Sequence, residues 1–314
     1  MINTQSTINT NIKSWYKYLS VATLLSAFAQ ITLGGFVRTS ESGLGCPDWP
    51  LCYGQIIPPM NFHTWVEWSH RLNASVLMML VFSLCFFTLI QYKNIRVLKN
   101  FSITNVILVI IVAILGGITV ITELVWWVRL IHLALAQSLI ACLTVMTWYS
   151  FSMPHINEIA HFEDTKWKTK IIIMITLVYL LMISGSYMVG MGASSACSTW
   201  PLCRGEIFPT GNHVYAIHML HRYIALIGLI ICVYLGLSFY QKGKHIPDIK
   251  RSIHSTLGAI LLQVVVGAWV IWSGFSGHVK TTHLSLATVV WVATIYLSVV
   301  VYYSVSKNNK TNTS

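Results

Sequence analysis

The amino-acid sequence predicts an all-α integral membrane protein whose eight transmembrane helices form two pseudo-symmetric four-helix bundles. Three observations predict this fold class: an apolar composition, eight long uncharged stretches, and an internal repeat that relates the two halves of the chain. Of the 314 residues, 55% are hydrophobic and 9% are charged, whereas a soluble domain carries roughly a quarter charged residues. Together with a mean hydropathy of +0.66, this composition excludes a water-soluble globular enzyme.

Charged residues divide the chain into eight uncharged stretches. A transmembrane helix needs roughly 20 predominantly apolar residues and tolerates almost no ions. The stretches lie between Lys17 and Arg38, Arg71 and Lys93, Lys99 and Glu123, Arg129 and Glu158, Lys170 and Arg204, Arg222 and Lys242, and Arg251 and Lys280, and from Thr281 to Ser306. We therefore predict eight transmembrane helices with short connections and no soluble domain.

The first stretch has some features of a cleaved signal peptide. Lys13 and Lys17 precede an apolar run, and Ala27-Phe28-Ala29 resembles a cleavage site. The uncharged run continues to Val37, however, which is longer than a usual signal core. The internal repeat described below also requires this segment as the first helix.

The positions of the cations predict the orientation of the chain. A net charge of +11 could suggest nucleic acid as a partner, but a chain with so few charges cannot build the basic face that such binding needs. Instead, 14 of the 20 Lys and Arg residues fall on the face of the predicted array that also holds both termini. Because Lys and Arg in short loops stay on the cytoplasmic side, we expect both termini to be cytoplasmic.

The two halves of the chain match at a constant shift of 151 residues. Residues Cys46–Pro58 align with Cys197–Pro209, with eight identities in thirteen positions. The same shift carries His70 and Arg71 to His221 and Arg222, His132 to His283, Val128 to Val279, Gly34 to Gly185, and Gly116 to Gly267. With four helices per half, both halves enter the membrane in the same direction, which gives a parallel repeat.

The repeat and the charge pattern together define the expected domains. A cytoplasmic tail covers residues 1–14, and the N-terminal four-helix bundle covers 15–151. A cytoplasmic linker covers 152–167, the C-terminal bundle covers 168–306, and a second cytoplasmic tail covers 307–314.

The histidines that share the repeat shift are the strongest ligand candidates. Each of His70, His132, His221 and His283 is predicted near the outer entrance of an inward-running helix. Helices two and four of a bundle run parallel, so histidines at equal depth can face each other, as bis-histidine heme ligation requires. The alternative is buried histidines hydrogen-bonded to neighbouring helices. The other histidines receive no ligand role: His63, His213 and His278 are expected in outer loops, and His155, His161, His245 and His254 at the cytoplasmic surface.

One position breaks the symmetry of the repeat, because Glu67 corresponds to His218. Glu67 stands three residues before His70, and this spacing places both side chains on one face of a helix. We therefore expect Glu67 in the same pocket as His70; the alternative is an acidic residue that complements the helix dipole. Four cations flank the histidines and suit either heme propionates or the membrane interface: Arg71, Arg129, Arg222 and Lys280.

Four of the seven cysteines lie in two predicted outer loops, as Cys46 with Cys52 and Cys197 with Cys203. Disulfides persist on that side of a membrane, and one bridge within each pair is the simplest interpretation. A free or redox-cycling pair is the alternative. Zinc binding is disfavoured because the spacing is not C-x₂-C.

These features together resemble the heme A synthase family, in its cysteine-containing bacterial type. The resemblance covers nearly the whole chain. It is carried by eight helices in two repeats, the E-x-x-H motif at Glu67 and His70, the pair His221–Arg222, the later histidines His132 and His283, and the two Cys-x₅-Cys loops. It implies a multi-pass protein of the bacterial cell membrane that oxidises a methyl group of heme O to a formyl group, giving heme A for terminal oxidases.

The resemblance also implies roles for individual residues. His70 and His132 would bind the substrate heme O, His221 and His283 would ligate a permanent heme b, and Glu67 would lie near the reacting methyl group. The implied partners are heme O, the heme O synthase that supplies it, an electron acceptor, membrane lipid and a further copy of the chain.

Two other functions would each explain part of the sequence. A diheme b-type electron-transfer cytochrome would explain the four histidines but has no use for Glu67 or the cysteine loops. A membrane thiol oxidoreductase would use the cysteines but leaves the histidines without a role.

Overall fold

The protein was analysed as a computed structural model that describes residues 12–152 and 161–305. Within these residues the chain forms eight α-helices and no β-strand beyond isolated bridges. The helices are α1 (Ser14–Thr39), α2 (Phe62–Gln91), α3 (Arg96–Ile121), α4 (Trp126–Ser152), α5 (Trp167–Gly190), α6 (His213–Gly243), α7 (Pro247–Trp272) and α8 (Gly277–Ser304). All eight are long and apolar enough to cross a membrane, which confirms the predicted all-helical, eight-span fold class.

Asparagine caps fix where the second helix of each half begins. The side chain of Asn61 accepts the backbone N–H of His63 at 3.0 Å, and that of Asn212 accepts the backbone N–H of Val214 at 3.1 Å. Such caps satisfy amides that lack a partner within the helix. The prediction of outer-loop positions for three histidines is wrong, because α2, α6 and α8 begin early: His63, His213 and His278 lie in the first turns of these helices.

The helices pack in two groups of four. In the first group, α1 and α3 each contact both α2 and α4; in the second, α5 and α7 each contact both α6 and α8. The groups meet where α1 contacts α8, α4 contacts α8, and α4 contacts α5. The pseudo-symmetric relation between the two groups stays a prediction.

Buried polar side chains join the two groups. Gln137 on α4 donates from Nε2 to Oγ1 of Thr288 on α8 at 2.9 Å, and these residues are separated by 151 positions, the length of the repeat. The indole N–H of Trp291 donates to the backbone carbonyl of Gln137 at 2.8 Å. Interhelical hydrogen bonds of this kind hold transmembrane helices together where the hydrophobic effect cannot.

The two long connections, residues 40–61 and 191–212, lie at the same end of the helical array. We refer to them as the cystine loops and to this end as the cystine-loop end. The opposite end carries Asp164, which is buried and pairs with Lys170 at 2.6 Å and Lys242 at 3.3 Å. Burial opposes ionisation of Asp164, but the hydrogen bonds from Lys170 and Lys166 and the positive charges nearby hold its pKa below the usual value.

The predicted domain boundaries stay predictions. Residues 1–11, 153–160 and 306–314, which include most of both predicted tails and half of the linker at 152–167, lie outside the described residues.

Candidate functional site

Four histidines occupy equivalent places at the cystine-loop end of α2, α4, α6 and α8. Each ring contacts a glycine on the neighbouring helix. A Cβ atom on the glycine would lie 3.0 Å from Cε1 of His70 at Gly34, 3.4 Å from that of His132 at Gly116, 3.1 Å from that of His221 at Gly185, and 3.1 Å from that of His283 at Gly267. At Gly34, Gly185 and Gly267 an added Cβ atom would be tight enough to push the imidazole ring, whereas at Gly116 it would make an ordinary contact.

The histidines are arranged as one pair in each half. His70 interacts electrostatically with His132, and His221 with His283. Buried Nδ1 atoms of His70, His132 and His283 have no hydrogen-bond partner among the described residues. Such orphaned nitrogens are costly inside a membrane, and ionisable residues at this depth mark candidate functional sites. The Nε2 atoms of His70 and His283 lie 3.2 Å from Gln30 and 3.3 Å from Gln263.

The donor set fits a heme better than a bare metal ion. Within residues 12–152 and 161–305, no group of three or more His, Cys, Asp or Glu side chains could hold a metal. Two imidazoles per half would suffice to hold a porphyrin-bound iron, whose remaining ligands the porphyrin itself supplies. In the second half, Ser184 Oγ lies 2.8 Å from Nδ1 of His221, a contact that fixes the ring and leaves Nε2 available.

Each cystine loop is closed by a disulfide. Cys46 is bonded to Cys52, and Cys197 to Cys203, each with a Cα–Cα distance of 4.8 Å. All four cysteines are buried.

Arg71 holds the first cystine loop against α2. Its Nη1 donates to the backbone carbonyls of Asp48 at 2.6 Å and Leu51 at 2.5 Å. Its Nη2 donates to the carbonyl of Cys46 at 3.1 Å and to Oε1 of Glu67 at 2.6 Å. The guanidinium group thus satisfies loop carbonyls, a role that the sequence did not suggest.

Arg222 does the same in the second half. Its Nη1 donates to the carbonyls of Thr199, Pro201 and Leu202 at 2.9–3.0 Å, and its Nη2 to that of Cys197 at 3.4 Å. Because both arginines bind the loops, a direct contact with propionates would require them to share these donors.

Glu67 and His218 occupy the corresponding position in the two halves and make corresponding contacts. Glu67 is 4% exposed; its Oε2 accepts the backbone N–H of Cys46 at 2.9 Å, and its Oε1 pairs with Arg71. In the second half, Nδ1 of His218 lies 2.9 Å from the carbonyl oxygen of Ala193, and Nε2 lies 3.2 Å from Arg222. Both residues link an arginine to the loop, but only the first half has a carboxylate there.

The other two candidate cations are Arg129 and Lys280. They lie between the halves, near a third cation that the sequence analysis did not single out. Arg38, at the end of α1, interacts electrostatically with both Arg129 and Lys280. None of the three forms an ion pair with a described carboxylate, and Nε of Arg129 is buried without a partner. Such a group of cations favours an anionic ligand. The signal in the sequence was the same as for the other two: a cation at the end of a transmembrane stretch.

A polar network beside His70 was also missed. Nε2 of Gln30 lies 3.2 Å from Nε2 of His70, and Nδ2 of Asn73 donates to Oε1 of Gln30 at 2.8 Å and to the carbonyl of Ser26 at 3.1 Å. The signal was available in the repeat, because all three polar residues change to aliphatic ones after the shift of 151.

Comparison with known families shows which family the chain belongs to. The COX15-CtaA family model, described as cytochrome oxidase assembly protein, matches residues 17–65 and 59–295. The chain belongs to this family. Family membership and the eight membrane-spanning helices identify it as a multi-pass membrane protein.

Individual relatives are similar to this chain along nearly their whole length. A heme A synthase of Exiguobacterium sp. is 27% identical over 281 residues, which cover 89% of this chain and 91% of the relative. One of Alkalihalophilus pseudofirmus is 24% identical over 287 residues, covering 91% and 97%. One of Bacillus cereus is 26% identical over 290 residues, covering 91% and 93%.

Proposed function

We propose that this protein is a heme A synthase, a membrane oxidoreductase that converts a methyl group of heme O to the formyl group of heme A. The observation that carries the proposal is the presence of two imidazole pairs, each seated against glycines, in a chain related to heme A synthases over about nine tenths of its length. The diheme cytochrome alternative is not favoured, because the relatives reported above are heme A synthases.

The two halves would bind different hemes. His70 and His132 would hold the substrate heme O, while His221 and His283 would hold a permanent heme b. The difference at Glu67 and His218 supports this division, since a carboxylate is present beside only one histidine pair. The contact of Ser184 with Nδ1 of His221 would orient this ring for holding a permanent heme.

The side chains of the first half would bind and orient the substrate heme and stabilise charge that develops during its oxidation. When bound, the hemes supply the redox chemistry of the methyl oxidation. Glu67 is proposed to stabilise positive charge that develops near the reacting methyl group, or to accept a proton there. Its ion pair with Arg71 and its hydrogen bond from Cys46 would hold the carboxylate in position and tie it to the loop.

Cations at the cystine-loop end would hold the heme propionates. Arg129 and Lys280 are the better placed, because they have no described carboxylate partner. Arg71 and Arg222 remain proposed as secondary contacts, since each already donates to loop carbonyls.

The orientation of the protein is part of the proposal. The cation distribution supports cytoplasmic termini in a bacterial cell membrane, with the cystine loops on the outer face. The proposed partners are a heme O synthase that supplies the substrate, an electron acceptor, and a further copy of the chain.

The test is heme extraction from a bacterial host that makes heme O but no heme A. Expression of the full chain should produce heme A, whereas a His70→Ala, His132→Ala variant expressed at the same level should not. Heme b bound to the chain without any heme A would contradict the proposal and favour the electron-transfer cytochrome.

A further inference from the structure

The positions that form the polar network beside His70 are aliphatic in the second half, where a single amide, Gln263 of α7, contacts His283 instead. Gln30, Ser26 and Asn73 lie on α1 and α2, and their hydrogen bonds connect the histidine to the middle of the first bundle. After the shift of 151 the same positions hold Leu181, Leu177 and Ile224. Around otherwise matching histidines and glycines, three polar residues have been exchanged for three aliphatic ones.

A buried polar network of this kind costs free energy inside a membrane, so its presence indicates a function. Buried amides cost free energy whenever a hydrogen bond is imperfect, and polar residues within transmembrane segments mark functional sites. Helix association alone is a weak reason, because the equivalent helices α5 and α6 pack together with aliphatic residues at these positions. The difference between the halves therefore points to a difference between their ligands.

The chemistry of the two hemes supplies such a difference. Heme O carries a hydroxyl-bearing isoprenoid substituent at a position where heme b carries a vinyl group. A hydroxyl group needs a hydrogen-bond donor or acceptor when it leaves water, whereas a vinyl group needs only apolar contacts. The propionates of a heme lie at the edge opposite this substituent, and the unpaired cations lie at the cystine-loop end. The substituent would then face the middle of the bundle.

We propose that Gln30 and Asn73, oriented by Ser26, form a hydroxyl-recognition site that makes the first half select heme O over heme b. Gln30 and Asn73 carry amide groups able to donate to and accept from one hydroxyl. In the second half, Leu181, Leu177 and Ile224 leave the equivalent place beside His221 without such groups. The amide of Gln263 there donates to the backbone carbonyl of His283. This inference rests on the proposed function, because it assumes that heme O binds beside His70.

Binding selectivity tests the site without depending on turnover. The full chain is purified with heme b already in its second half, and heme O or additional heme b is titrated while the Soret absorption is followed. The wild type should bind heme O more tightly than heme b at the first site. In Gln30→Leu and in Asn73→Ile, the ratio of the two affinities should fall by roughly tenfold each, the effect of one hydrogen bond.

A matched control is available in the same half. Asn105 is a buried polar residue of α3 that contacts Met146, and Thr256 occupies its place in the second half. Asn105→Thr likewise introduces the residue of the second half, but away from the network, and should leave the affinity ratio unchanged.

The outcomes separate the two proposals. If the wild type binds no heme O at the first site, the proposed function and this inference both fail. If it binds heme O and makes heme A, but both network variants keep the wild-type ratio, only the inference fails. If those variants misfold and lose the resident heme b, the double variant Leu181→Gln, Ile224→Asn provides the test. A gain in heme O affinity at the second site supports the inference, and no gain overturns it.

Discussion

Gly34 lies so close to the imidazole ring of His70 that a Cβ atom there would stand 3.0 Å from Cε1. The same relationship joins Gly185 to His221 in the second half, at 3.1 Å. In both cases the glycine allows the first helix of a bundle to pack directly against a histidine on the second helix. The matching glycines of the repeat are thus part of the histidine sites.

Replacing Gly34 by alanine should weaken heme binding in the first half. The added methyl group must push the ring of His70 away, and overpacking of this kind costs about 1–3 kcal/mol. Heme O affinity, measured by Soret titration, should fall by roughly tenfold or more while heme b in the second half stays. Gly258→Ala is the control, because nothing lies within 4 Å of a Cβ atom there. Equal heme O affinities in the two variants would contradict the prediction.

Removing either histidine of the second pair should deplete the resident heme b. His221→Ala and His283→Ala each remove one of the residues proposed to hold the heme, while the helices that carry them remain. Heme b per purified chain, measured from the reduced absorption spectrum, should drop sharply in both. His254→Ala, at the opposite end of α7, should keep the wild-type content. Unchanged heme content in both ligand variants would refute the assignment.

The positions of the helices followed from the sequence, but several contacts of the site did not. The first uncharged stretch, from Lys17 to Arg38, lies within α1 (Ser14–Thr39) because ions rarely enter the bilayer. By contrast, the contacts of Arg71 depend on where the carbonyls of a folded loop point, and no periodicity records that. The network at Gln30 did not follow from the sequence for another reason: amides within an apolar stretch carry no charge to mark them, and the residues at these positions differ between the halves.

The two cystine loops should resist alkylation in the oxidised protein. Bridging Cys46 to Cys52 restricts the unfolded loop and stabilises the fold by about 2 kcal/mol on the chain-entropy model. Mass spectrometry of peptides alkylated in denaturant without reduction should find all four loop cysteines unmodified. Cys85, Cys142 and Cys232, which are free, serve as the internal standard for complete labelling. Full alkylation of the four loop thiols would show that the bridges are absent.

The first cystine loop should loosen in acid before the second. Backbone amides of Gly54 and Tyr53 donate to the carboxylate of Asp48 at 2.7 and 2.6 Å, and they lower the pKa of Asp48 in the folded loop. A lowered pKa stabilises the fold above the unfolded pKa, and this contribution is lost as pH falls through the folded value.

Reduction by a phosphine, which acts in acid, measures this loosening. Cys46–Cys52 should be reduced progressively faster than Cys197–Cys203 as the pH falls below the usual carboxyl range. Asp48→Asn should show the faster reduction already at neutral pH. A constant ratio of the two rates across the titration in the wild type would count against a role for Asp48.

Glu67 is where the halves differ in charge, so its replacement tests catalysis apart from heme binding. Glu67→Gln keeps the shape and an acceptor for the amide of Cys46 but removes the charge that pairs with Arg71. If the carboxylate stabilises charge near the methyl group, heme A formed per heme b bound should fall by roughly 10²-fold or more. The heme b signal should persist, because its proposed ligands lie in the other half.

The matched control for this variant is His218→Gln, which changes the same position of the second half. It should leave the rate of heme A formation largely intact. Because Glu67 also anchors the first cystine loop, the phosphine reduction rate of Cys46–Cys52 must be measured in Glu67→Gln. A lost rate with an unchanged reduction rate assigns the defect to the chemistry, since the loop is then still in place. Near wild-type turnover would instead remove Glu67 from catalysis and leave it the structural role that it shares with His218, linking an arginine to a loop.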